Sequence, residues 1–279
     1  MCPHVSCVRA MMGDRNMTTL SQLTPAELRQ QIRNNQLIQP TAGMANGYAQ
    51  ANLAILPKQQ AFDFLLFCQR NPKSCPLLDV TDVGSPVPKF AAPSGDIRTD
   101  IPKYRIYENG ELVKEVTDIT DYWTEDMVAF LIGCSFTFEH ALLNNDIPVR
   151  HIEENCNVPM YKTNISCAEA GIFHGSTVVS MRPIPQQDVV RAAQVTSRFP
   201  AVHGGPVHIG DPAAIGIEDL HSPDFGDAVS IKEGEVPVFW ACGVTPQAVA
   251  METKPSIMIT HAPGHMFITD IRDEKLGVL

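Results

Sequence analysis

His261 and His265 flank Pro263-Gly264 in the stretch ITHAPGHMFITD, at a polar tip between the apolar runs Ile257-Met258-Ile259 and Met266-Phe267-Ile268. Imidazole is the side chain whose ordinary pKa lies nearest neutrality, so two of them on one tip suggest proton transfer. The i, i+4 spacing also occurs in helical zinc sites, but no Glu follows His261 and Pro-Gly breaks the helix such a site needs. A second group lies in SRFPAVHGGPVHIGDP, which carries Arg198, His203, His208 and Asp211. His208 sits between Val207 and Ile209, so on a strand it points away from their apolar face. His203, His208 and Asp211 could form a nitrogen/oxygen metal site with His261, but nothing in the spacing demands one. A third group is GCSFTFEH, with Cys134, Ser135 and Glu139. A carboxyl between aromatic residues can have a raised pKa and act as acid or base, whereas a mid-helix cysteine reads as core. Arg98, in DIRTD, and Arg182, after VVSM, join Arg198 as candidates for holding a carboxylate, which guanidinium binds in bidentate fashion.

The elements that position these residues are read from periodicity and punctuation. Thr24-Pro25-Ala26-Glu27 is a capping box opening a helix to about Asn34 or Asn35. GYAQANLAILP reads as short and helical up to Pro57. KQQAFDFLLFCQRNP reads as a helix with Phe62, Leu65, Leu66 and Cys68 inward. Residues 76–102, rich in Pro, Gly, Ser and Asp, form a long irregular connection. Asn109-Gly110 within KYRIYENGELVKEV marks a hairpin with a type I′ turn. TEDMVAFLIGCSF reads as a helix capped by Thr124 and interrupted at Gly133, with TFEHALL resuming it. VRHIEE and VPMYKTNI alternate like strands. TVVSMRPI, PVHIGD, VPVFWACG and PSIMITH read as strands, with helices over QQDVVRAAQVTSRF and from Thr245-Pro246.

This rhythm predicts an α/β fold: a layered α/β core from residues 17–85 and 176–279, with a smaller inserted α+β subdomain over 86–175. Residues 1–16 are expected to be a disordered extension. In open α/β sheets ligands bind where strands end in loops, so the loop ends bearing His203 or His208 are expected to meet those bearing His261 or His265 in one concave site.

Composition narrows the function classes. The 279 residues are 44% apolar with a net charge of −10. That balance argues against duplex nucleic acid, whose phosphates need clustered Lys and Arg, while leaving room for a small anion held by one or two arginines. No apolar run approaches the ~20 residues of a membrane helix. The eight cysteines include no C-x-x-C pair and read as reduced thiols of a cytoplasmic protein. Neither G-x-G-x-x-G nor G-x-x-x-x-G-K-[ST] occurs, so nucleotide cradling has no support.

The longer motifs TAGMANGYAQANLAILPK, DIRTDIPKYRIY, VAFLIGCSFTFE, VRHIEENCNVPMYKTNI, VTSRFPAVHGGPVHIGDPAAIGI, PDFGDAV, VFWACGVTPQAV and ITHAPGHMFITD resemble, in order from about Thr24 to Asp270, the D-glutamate cyclase family, whose bacterial members are named as hydro-lyases. The resemblance implies loss of water from D-glutamate to give 5-oxo-D-proline. That reaction needs a base to free the amine, an acid for the departing oxygen, donors for a tetrahedral oxyanion, and a cation to hold carboxylate. The residues expected to meet these needs are His203 with His261 or His265 for proton transfer, and Glu139 or Asp211 for orientation. Arg98, Arg182 or Arg198 is expected to hold carboxylate, with Ser135 and His208 completing the substrate contacts. No organic cofactor is expected, a divalent metal is left open, and so is a homo-oligomer. The alternatives are dehydration of another small hydroxy or amino acid, and an amino-acid or 5-oxoproline binding protein without turnover.

Overall fold

The computed structural model describes residues 20–278. The expected extension over residues 1–16 lies outside them. The fold is α/β, built on two sheets whose strand pairings are all antiparallel. The large sheet contains β1 (Tyr48–Pro57), β2 (Leu77–Val80), β3 (Tyr104–Glu108), β4 (Glu111–Val116), β5 (Met127–Gly133), β10 (Ile257–His261) and β11 (Phe267–Arg272). Its order is β2-β5-β1-β10-β3-β4, with β11 also pairing with β1. The small sheet runs β6 (Met160–Ser166), β7 (Ser176–Pro185), β9 (Glu235–Ala241) and β8 (His208–Ile209). Residues 86–175 therefore supply β3, β4 and β5 to the large sheet and β6 to the small one.

Two segments read as helical are strands. GYAQANLAILP forms β1, and MVAFLIG forms β5. Both are buried on both faces, so their apolar residues run on without alternation, and such a run has no period to separate strand from helix. In β1, Leu53 and Ile55 enter one core with Leu131, Ile106 and Phe267, while Ala54 and Leu56 enter another with Phe64, Phe67 and Phe130. Conversely, VRHIEE, read as a strand, is the short helix α4 (Arg150–Glu153).

The other helices are α1 (Pro25–Arg33), α2 (Lys58–Arg70), α3 (Phe136–Leu143), α5 (Val189–Ser197) and α6 (Thr245–Thr253). The Thr24 capping box is formed: the hydroxyl accepts from Glu27 N–H at 3.3 Å and the Glu27 carboxylate accepts from Thr24 N–H at 2.8 Å. On α2 the buried face carries Phe64, Phe67 and Cys68, while Phe62 is 72% and Leu65 39% exposed. The helix is thus rotated from the expected face, because the ring cluster with Phe130 and Phe173 claims Phe64.

The long connection after β2 is pinned to the large sheet rather than free. Asp79 accepts from the Phe90 and Ala91 amides at 2.8 and 2.9 Å, and the Tyr104 hydroxyl donates to Ile97 O at 2.6 Å. The hairpin β3–β4 turns at Asn109 (φ 50°) and Gly110 (φ 83°), the two left-handed positions of a type I′ turn. Among the described residues, no helix is long and apolar enough to cross a membrane.

Candidate functional site

The β10–β11 connection builds a fixed tip. The Thr41 hydroxyl accepts from Met266 N–H at 3.0 Å, and Gly264 O accepts from Thr41 N–H at 2.8 Å. Gly264 has φ 81°, and a Cβ there would stand 2.9 Å from Asn157 Nδ2, so conformation and space both call for glycine. The tip aims His265 into a cleft of about 480 Å3, within the few-hundred to ~1,000 Å3 range of small-molecule sites.

One wall of this cleft comes from β3. Lys103, Arg105 and Tyr107 are two residues apart, so an extended chain presents them on one side, and all three line it. Glu115 of β4 lies directly across from Arg105. Asp224 and Asp227, which flank Phe225-Gly226, line the cleft as well, together with Asn157. Oδ2 of each aspartate accepts a backbone hydrogen bond, from Lys162 N–H at 2.8 Å and Asn157 N–H at 2.9 Å respectively, and among the described residues Oδ1 of each has no hydrogen bond.

The His265 imidazole is in a state that can accept a proton. Its Nδ1 lies 3.0 Å from Pro263 O. A carbonyl can only accept, so Nδ1 carries the proton and Nε2 of the neutral ring keeps its lone pair. Burial lowers the pKa below the ordinary histidine value, with Lys103 and Arg105 acting in the same direction, against the Pro263 hydrogen bond and Glu115.

A second polar group lies deep between α3 and the small sheet. Arg182 of β7 is fully buried; its Nε donates to Glu139 Oε1 at 3.0 Å, Nη1 to Ser180 Oγ at 3.0 Å and Nη2 to Ser135 Oγ at 3.1 Å. Nη2 also donates to Glu139. His151 Nε2 stands 3.2 Å from the same carboxylate oxygen, without the alignment of a hydrogen bond. The guanidinium carbon sits 5.4 Å from the ring centroids of both Phe138 and Trp240. Burial alone would raise the Glu139 pKa, but His151 and Arg182 outweigh it and hold the carboxyl at about 2. Glu139 is therefore ionised and occupied, not a raised-pKa acid. The cavity beside it, also lined by Gln50 and Asp273, holds about 50 Å3, room for a few waters rather than an amino acid. On its rim burial, with Glu274, lifts the Asp273 carboxyl to about 7.

The histidines of the two loops each have their own partners. His203, in the left-handed region at φ 81°, donates from Nδ1 to Lys73 O at 2.9 Å. Burial lowers its pKa to about 4. His261 Nδ1 accepts from Leu53 N–H at 3.0 Å, and burial lowers its pKa to about 3. Nε2 of each is buried without a hydrogen-bond partner among the described residues. His208 Nε2 donates to Asp211 O at 2.7 Å, and Asp211 caps a turn by accepting from Ala213 N–H at 3.0 Å. No hydrogen bond or charge interaction among the described residues joins His203 or His208 to His261 or His265. His208 belongs to the small sheet and His261 to the large one. Arg98 is taken by Asp96 in a bidentate pair at 2.9 and 2.7 Å. Arg198 is exposed and donates to Val278 O at 3.2 Å. Among the described residues, no group of three or more His, Cys, Asp or Glu side chains is placed to hold a metal ion.

Of the candidate residues, then, His265 alone lines the large cleft, and Arg182, Glu139 and Ser135 form one buried cluster. Lys103, Arg105, Glu115, Asp224 and Asp227 were not singled out from the sequence. The available signals were the period-two Lys-x-Arg-x-Tyr of KYRIY and the paired acids of PDFGDAV.

Comparison with known proteins places the chain. The D-glutamate cyclase family model matches residues 128–270. A protein of Geobacillus kaustophilus named "Putative hydro-lyase" is 71% identical over 94% of this chain and 100% of its own length. Proteins given the same name from Bacillus subtilis and Stutzerimonas stutzeri are 70% and 67% identical over 92% and 95% of this chain, each across 100% of its own length. A crystal structure of a nitrogen repressor-like protein from Methanococcus jannaschii aligns with 88% of this chain and 97% of its own at a TM-score of 0.37 and 12% identity. The chain belongs to the D-glutamate cyclase family.

Proposed function

We propose that the protein is a carbon-oxygen hydro-lyase that converts D-glutamate to 5-oxo-D-proline and water in the His265 cleft. The observation that carries this reading is the company His265 keeps: a neutral imidazole with a free Nε2, cations on the β3 wall, and carboxylates at Asp224 and Asp227. Glutamate has two carboxylates and an ammonium, and the cleft offers partners for all three. Arg105 and Lys103 bind the carboxylates, while the free Oδ1 atoms of Asp224 and Asp227 receive the ammonium.

The chemistry moves two protons. His265 Nε2 takes one from the ammonium, and the freed amine attacks the side-chain carboxyl carbon. The N–C bond forms as the carboxyl π bond opens to an oxyanion, which Arg105 or Lys103 stabilises. The imidazolium gives its proton to the departing oxygen, the restored neutral ring takes the second proton from nitrogen and passes it to the same oxygen, the C–O bond breaks as the oxyanion closes to the carbonyl, and water leaves. Holding both ends of the substrate supplies the proximity term.

The test is chromatographic detection of the lactam from D- and L-glutamate with the purified protein and with His265→Gln. The expected result is lactam from D-glutamate and a loss of about 100-fold or more in the variant, the scale of general acid–base catalysis. Because His265 is shifted down, activity should persist below the ordinary histidine pKa of about 6.5 and fall only as the ring takes its proton. An alkene product would instead indicate dehydration of a hydroxy acid, and ligand binding without turnover a binding protein.

A further inference from the structure

The His265 cleft contains a carboxylate that the proposed reaction does not use. Glu115 Oε1 accepts from Arg105 Nε at 2.8 Å, and its Oε2 lies 4.0 Å from Lys103 Nζ. One side chain of the protein thus bridges the two cations assigned to the substrate. We propose that Glu115 stands in for a substrate carboxylate: it neutralises Arg105 and Lys103 in the empty cleft, a dicarboxylic amino acid displaces it, and its presence sets both affinity and preference for two carboxylates. The inference rests on the reading that the substrate occupies this cleft.

Two observations make Glu115 displaceable where other carboxylates are not. Its side chain is 38% exposed, and those of Arg105 and Lys103 are 23% and 37% exposed. Solvated pairs of this kind are weak, and the released carboxylate returns to water rather than to a dry interior. Glu139, by contrast, is buried with Arg182, and Asp100 lies buried against Arg29, and separating those pairs strands a buried charge. Position matters as well. Residue 115 lies on β4, at the end of the sheet order, bonded among the described strands to β3 alone, so the side chain can swing outward without disturbing a second strand. A ligand with two carboxylates can replace both contacts of Glu115. A ligand with one can replace only part of them, which leaves Glu115 competing for the remaining cation.

The experiment uses the full chain with Glu115→Gln, and Glu115→Ser as a second variant. Glutarate is the binding probe, since it carries both carboxylates but no amine and cannot cyclise. Isothermal titration should show glutarate binding about fivefold tighter to each variant, the size of one released surface pair, and binding of butyrate improved less. The KM for D-glutamate should fall by a similar factor with kcat unchanged. Glu111→Gln, on the same strand but outside the cleft, controls for a general loss of negative charge and should change neither. Glutarate affinity that is unchanged or weaker in both variants, or equally tightened by Glu111→Gln, overturns the proposal. Tighter glutarate binding with no lactam from any form keeps the role of Glu115 and removes the assigned reaction. Lactam formation with KM and glutarate affinity indifferent to residue 115 does the reverse.

Discussion

His203 and His261 should make the fold acid-sensitive, and the size of the effect follows from their burial. Both are 1% exposed. Their native pKa values, about 4 and about 3, lie below the unfolded value, which is about 6.5. The native state therefore refuses protons that the unfolded chain accepts. Their stabilising contribution is complete above about pH 6.5 and is lost as pH falls, at about 1.4 kcal/mol per unit per histidine, until each native pKa is reached. Between pH 8 and pH 5 this amounts to about 2 kcal/mol for each, or about 4 kcal/mol together. Asp273 acts in the opposite sense: its carboxyl, raised to about 7, binds a proton in the native state first, so it adds stability as pH falls toward its unfolded value. The observable is accordingly the difference between wild type and variants. Asn places a side-chain group near the Nδ1 position of either histidine, so His203→Asn and His261→Asn retain the contacts to Lys73 O and Leu53 N–H while removing the titration. Urea unfolding at pH 8 and pH 5 should show the pH-induced loss reduced by about 2 kcal/mol in each variant. A loss equal to that of wild type in both would refute the assignment of the acid sensitivity to these rings.

Arg182→Met leaves the Glu139 carboxylate buried with only His151 beside it, and urea unfolding should show a cost of about 3–5 kcal/mol. Gly264→Ala combines a left-handed φ with a Cβ against Asn157; unfolding should register more than about 1 kcal/mol, and turnover should drop because the tip carries His265. Arg105→Lys keeps the charge but loses the fork, so KM for D-glutamate should rise roughly tenfold, the value of one charge-assisted hydrogen bond, with kcat little changed in steady-state assays.

Much of the architecture was legible where local chemistry decides it. The Thr24 capping box, the Asn109-Gly110 turn and the helix over Phe136–Leu143 are readable because capping groups and turn dihedrals are local. β1 and β5 were not, because strands buried on both faces erase the alternation that would reveal them. The same physics hid the orientation of α2, where the aromatic cluster at Phe130 and Phe173, distant in sequence, selects Phe64 over Phe62. At the site, residue type pointed to the tip carrying His265. It did not separate His265 from His261, whose alternation along the β10 strand turns it into the core beneath Leu53. Nor could it show that Arg98 is satisfied by its neighbour Asp96, or that Arg182 is enclosed by Glu139 and two serines. The cation wall of Lys103 and Arg105 has no local signal in the hairpin sequence, because a loop more than a hundred residues away, at Asp224 and Asp227, lines the same cleft.

The most direct measurement is a single time course: D-glutamate with wild type and with His265→Gln, both shown folded by thermal unfolding, followed by separation of the lactam. The expected result is 5-oxo-D-proline from wild type and at least about 100-fold less from the variant. Lactam at equal rates from both would contradict the role of His265 and move the chemistry out of this cleft, and none from folded wild type would contradict the reaction itself.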